Sequence, residues 1–113
     1  MAILLIVIII LTIKASKKKP IISIIEFLEK ASLVKAFTSS SGKGYKVTKI
    51  ENNVMWFLRL DAKGDKPWDM DLNSVYKAYK ELEDFDTLNF KPYVNRRHSP
   101  ARGLLLYLEL LYK

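Results

Sequence analysis

The segment Asn95-Arg96-Arg97-His98-Ser99-Pro100-Ala101-Arg102 sets three guanidiniums and the chain's one imidazole around a Ser-Pro pair. Ser-Pro reads as a helix start, with Ser99 as the cap and Pro100 in the first helical position, where a missing N–H costs nothing. The free amides of a first turn and the helix dipole favour an anion at such a place. Arginine forks match phosphate oxygens in a bidentate way. Tyr93 and Phe90, just upstream, are placed to stack on a base. The chemistry on offer is phosphate binding. The competing reading is a basic loop that pairs with the acidic helix expected over 71–86.

Other constellations fall short of a reaction. Ser39-Ser40-Ser41-Gly42-Lys43-Gly44 invites comparison with a phosphate-cradling loop. That motif needs a glycine five residues before Gly42 and a hydroxyl residue after the lysine, where this chain has Phe37 and Gly44. Leu60-Asp61-Ala62-Lys63 has the Asp-x-Lys form of a metal-dependent nuclease half-site, in which the carboxylate holds a cation and the lysine places a water. Only Glu26, Glu29 and Glu51 precede it as a second acid, and Asp-x-Lys-Gly is equally an ordinary turn. Asp61, Asp65, Asp69 and Asp71 miss the alternation of a calcium loop, and Pro67 and Trp68 stand where ligands would be wanted. With no cysteine and one histidine, a thiolate metal site or a disulfide framework is excluded, and no cofactor or metal is expected. His98 finds neither a Ser-His-Asp nor a paired-carboxylate setting, so no catalytic residue is assigned. Trp56 and Trp68 are expected in core and lid positions.

Charge supports the phosphate reading. The chain of 113 residues carries a net +7, unevenly placed. Residues 14–49 hold nine lysines against two glutamates, and residues 87–113 hold five lysines and arginines against Glu109. Between them, residues 61–86 hold eight carboxylates against four lysines. Two basic zones around an acidic one suit a polyanion-binding face, although the zones could also neutralise one another across the fold.

Elements must carry these groups into place. Tyr45–Glu51 and Val54–Leu60 are strand-forming runs joined by Asn52-Asn53, a pair that tolerates left-handed backbone angles, and they predict a β-hairpin. A two-residue loop sets Tyr45 opposite Leu60, Val47 opposite Leu58 and Lys49 opposite Trp56. The core face is then Tyr45, Val47, Val54, Trp56, Leu58 and Leu60. Ser23-x-x-Glu26 is a capping box, with Ile22 and Phe27 as its hydrophobic staple. The helix it opens carries Ile24, Leu28, Ala31 and Val34 on one face and runs to the serine-rich loop at Ser39. Asp69 or Asp71 caps a second helix to about Glu83. Leu88, Phe90 and Val94 alternate around Pro92 as an edge strand or extended loop. The helix opened by Ser99 is apolar nearly all round, so it is either buried or covered by a protein partner or a second copy.

Ala2–Ile13 is apolar apart from Thr12. As a helix it would reach about 18 Å, short of the roughly 30 Å of a bilayer core. Four readings stay open: a short anchor with Lys17, Lys18 and Lys19 at an anionic membrane surface, a buried strand, an interfacial or partner-binding segment, or a misassigned start. The membrane reading leads. Residues 1–16 thus form an apolar segment and 17–113 one α+β domain, a hairpin of two or three strands packed by about three helices.

The leading expectation is a non-enzymatic, cytoplasmic nucleic-acid-binding module. Lys43, Lys46 and Arg59 would meet the backbone from the hairpin, and Tyr93, Arg96, Arg97, His98 and Arg102 from the start of the last helix. The alternatives are an adaptor attached to the inner membrane face through residues 2–13, and a subunit or fragment of a larger, nuclease-type protein.

Overall fold

The computed structural model describes residues 17–39, 41–61 and 66–112. The readings of the apolar start, of Lys63 and of Asp65 lie outside the described residues. Helix α1 (Ile24–Ser32) leads into strand β1 (Ala36–Thr38), β2 (Gly44–Glu51), β3 (Val54–Arg59) and β4 (Trp68–Asp71). Helix α2 (Leu72–Glu81), a 3₁₀ turn (Thr87–Phe90) and helix α3 (His98–Tyr107) complete the order. The four strands form one antiparallel sheet in sequence order, so the α+β expectation holds with one strand more than the largest sheet expected. Among the described residues no helix is long and apolar enough to cross a membrane.

The Asn52-Asn53 hairpin is as expected, with φ of 53° and 62° at the two loop residues. Next to the turn Lys49 does face Trp56, but a bulge between Val47 and Lys49 shifts the rest, so Val47 faces Phe57 and Tyr45 faces Arg59. Thr48 is the extra residue, and its hydroxyl donates to the Trp56 carbonyl at 3.2 Å. The bulge keeps Tyr45 and Val47 on the core side while reversing the expected faces of β3. Met55 and Phe57 are fully buried, whereas Trp56 and Leu58 are half-buried on the outer face. Arg59 thereby shares the inner face with Tyr45. The reversal places a cation where Leu60 was expected.

Strand β1 claims Phe37, which lies in the stretch expected to be helical up to Ser39. That helix stops at Ser32, and Phe37 packs its ring 5.1 Å from Tyr45 and 5.6 Å from Phe57. Ser23 caps α1 by accepting from the Glu26 amide at 3.1 Å, while the Glu26 carboxylate accepts from Lys19 at 3.0 Å. The segment 88–94 is no strand. It is the 3₁₀ turn and following turns, with Phe90 and Val94 buried beneath α3. Leu104, Leu105, Leu110 and Leu111 are all buried in the domain's own core.

Tyr79 ties the described ends together. Fully buried on α2, its hydroxyl lies 2.9 Å from both the Lys19 and Leu110 carbonyls and accepts from the Lys19 amide at 3.2 Å. The Lys18 amide donates to Leu110 at 2.9 Å beside a Lys17–Leu111 bridge. Removing the hydroxyl in Tyr79→Phe takes one donor from the buried Leu110 carbonyl, which keeps the Lys18 amide, and from the part-buried Lys19 carbonyl, and should cost about 0.5–1.5 kcal/mol in denaturant unfolding. Burial also pushes the Tyr79 and Tyr45 hydroxyls above their ordinary value of 10.0. The folded state then holds these protons more tightly than the unfolded chain. The associated stability is complete below about pH 10 and is lost as pH rises through the raised values. Melting followed from pH 9 to 11 should show that fall, and Tyr79→Phe should make it shallower. An identical slope in the variant would remove Tyr79 from the account.

Candidate nucleic-acid interface

Three separate segments meet at the head of α3. The β1–β2 turn supplies Lys43, the end of β3 supplies Arg59, and the approach to α3 with its first residue supplies Arg96 and His98. All four line one cavity of about 180 Å³, whose walls also include Tyr45, Trp68, Ser99 and Pro100.

Local chemistry fixes each contributor. Buried Ser39 organises the turn: its hydroxyl accepts from the Lys43 amide at 3.1 Å and lies 2.9 Å from the Ser41 hydroxyl. The Ser39 amide donates to the Lys43 carbonyl at 2.7 Å, and Gly42 closes the turn at φ 90°. Arg59 follows from the bulge, and Asp61 holds it through Nε–Oδ1 at 2.6 Å and Nη2–Oδ2 at 3.3 Å. The same hydrogen bond pulls the Asp61 carboxyl below its ordinary range, with the charges of Arg59 and Lys43 adding to the effect. Trp68 lies opposite Phe57 on β4. The Arg97 guanidinium sits 4.6 Å from its ring centre and that of Arg59 5.9 Å. Arg97 is further held by Nε–H donating to the Asp69 carbonyl at 2.9 Å and Nη2 3.6 Å from the Asp69 carboxylate.

Helix α3 begins two residues earlier than the Ser-Pro signal suggested. Its N-cap is Arg97, with no side-chain cap bond, and Pro100 occupies the third helical position, still within the first turn whose amides lack helical partners. The early start follows a turn in which the Arg97 amide donates to Val94 at 2.9 Å and Arg96 takes φ 66°. A left-handed angle is uncommon for a residue with a side chain. Here it carries Arg96 to the cavity. His98 Nδ1 is buried and has no hydrogen-bond partner among the described residues.

The expected site residues therefore divide. Lys43, Arg59, Arg96 and His98 converge, and Arg97 joins them across Trp68. Lys46 does not, because it pairs with Leu58 on the outer face of the sheet. Tyr93 lines a neighbouring hollow of about 200 Å³ with Arg96 and Arg97, but its hydroxyl lies 3.3 Å from the Glu81 carboxylate. Arg102 borders a third hollow with Thr38, Ser39 and Tyr107, its Nε–H donating to the Phe85 carbonyl at 2.8 Å. Trp68 was expected as a lid and Tyr45 as core; each also walls the cleft. Only the pairing of β4 with β3 reveals the role of Trp68, and β4 has no strand signal of its own.

Four cations surround the cleft against two carboxylates, Asp61 and Asp69, leaving two positive charges in excess. Lys43 and Arg96 make no ion pair among the described residues, whereas Arg59 and Arg97 do. Such a surface attracts anions, and the Trp68 ring is already faced by two guanidiniums. Among the described residues no three metal-ligating side chains come together. Comparisons with family models, with curated proteins and with solved structures find no match for this chain.

Proposed function

We propose that this domain is a non-enzymatic nucleic-acid-binding module that grips the phosphate backbone at the cleft heading α3. The observation that supports it is the meeting of Lys43, Arg59 and Arg96, drawn from three segments, around one cavity beside His98. Residues so distant in sequence share a surface only if the fold brings them there, and two of the three carry charge with no ion-pair partner among the described residues. Aspartates temper the others. They occupy a fork of each guanidinium, so Arg59 and Arg97 shape the cleft and its field while Lys43 and Arg96 are the cations free to meet phosphate oxygens.

Binding of this kind releases counterions. With about three phosphates neutralised, raising salt from 50 to 200 mM should weaken affinity roughly 40-fold. Fluorescence anisotropy with a labelled DNA or RNA duplex reads this directly. No measurable affinity at low salt would end the proposal. Affinity indifferent to salt would end it equally.

A further inference from the structure

We infer that the cleft is a seat for a terminal phosphate, so that the module holds a duplex by a phosphorylated strand end. The inference rests on the nucleic-acid reading above and narrows it. Size is the first argument. At about 180 Å³ the cavity falls below the roughly 300–1,000 Å³ of sites that enclose a whole small ligand. It has room for a phosphate group together with the sugar that bears it, and not for a whole nucleotide on each side.

Charge is the second argument. The cleft carries two positive charges in excess, with Lys43 and Arg96 free of ion pairs among the described residues. A phosphate monoester carries about −1.5 to −2 at neutral pH. A phosphate within a strand carries about one negative charge. The monoester is the better electrostatic match, because an internal phosphate would leave one of the two cations unanswered.

The walls supply the third. Single-strand binders stack bases on open aromatic faces, but here Tyr45 is buried at 2% exposure and Trp68 is faced by Arg97 and Arg59. The cleft offers no freely exposed aromatic face to an unpaired base, since its one half-buried ring, Trp68, is already engaged by guanidiniums. The base therefore stays paired outside while the phosphate enters. An internal phosphate would have to enter with a nucleotide on each side; an end enters with one. The hydroxyl of Ser99 and the uncapped first amides of α3 add donors on the same side.

The test compares one short, internally labelled duplex in three forms: 5′-phosphorylated, 3′-phosphorylated and with hydroxyl ends only. Anisotropy at moderate salt should show at least one phosphorylated form binding about tenfold or more tightly than the hydroxyl form. Arg96→Gly should erase that preference, since glycine adopts the φ of 66° freely and only the guanidinium is lost. Lys77→Ala, which removes an equal charge from the exposed face of α2, should preserve it. Equal affinity for all three duplexes overturns the end-binding inference and leaves backbone binding standing. No binding to any of them overturns both. A phosphoserine peptide that binds as tightly as the phosphorylated duplex also overturns it, by assigning the seat to protein ligands.

Discussion

Replacing Gly103 with alanine is expected to lower the melting temperature by on the order of 10 °C. Helix α3 crosses the end of β1 at this residue. A Cβ placed there would strike the Thr38 carbonyl oxygen and come within 2.7 Å of the Ser39 Cα. Both obstacles are backbone, so no side-chain rotation relieves them. Alanine would otherwise favour a helix by up to about 1 kcal/mol over glycine, but overpacking of this kind costs about 1–3 kcal/mol and occasionally more. The steric term wins. Its effect should also reach the cleft, because Ser39 sets the turn that carries Lys43. Circular dichroism melts would check the first part and anisotropy the second. An alanine variant that melts like the parent would mean that α3 can lift away from β1 at no cost.

Losing Lys43 and Arg96 together is expected to weaken nucleic-acid binding on the order of 100-fold. The slope of log affinity against log salt should shrink by about two, one for each cation removed. The informative pair is Lys43→Ala with Arg96→Gly. Arginine at φ 66° bears a left-handed backbone cost of about 1–2 kcal/mol, of which glycine returns part after its greater freedom in the unfolded chain. This double variant should therefore melt no lower than the parent, and up to about 1 kcal/mol of stability is there to be gained. Left-handed residues also occur away from the cleft, as at Glu109, but Arg96 is the one that borders it. Full affinity with an unchanged salt slope would remove both cations from the interface.

The hairpin was legible because Asn52-Asn53 is chemically distinctive, and so was the cap at Ser23. Of the two candidates for the second helix, Asp69 and Asp71, the cap is Asp71, which accepts from the Asn73 amide. The register beyond Lys49 was not legible. Thr48 is an ordinary strand residue, and nothing in its own chemistry marks it as the extra one. That single residue decides whether β3 buries Trp56 and Leu58 or Met55 and Phe57. It also decides which face Arg59 takes. Strands β1 and β4 escaped notice for another reason: three and four residues give too short a pattern, and β4 carries two aspartates of low strand propensity. Without β4, Trp68 could not be seen as the ring that both Arg59 and Arg97 approach. The arginine-rich approach to α3 was readable as a candidate anion site because residue type alone carries that signal. Which of its cations face the cleft was not, since Arg96 reaches it through a backbone angle that sequence does not announce.

The clasp made by Tyr79 and the Lys17–Leu111 bridge has an engineering corollary. Where the described chain enters the fold and where it leaves, Lys17 and Leu111 pair in an isolated antiparallel bridge, a spacing of about 5 Å. A surface loop of an unrelated host need open by little more than that width to accept the domain as an insert. Its own junction would then be sealed by contacts it already possesses.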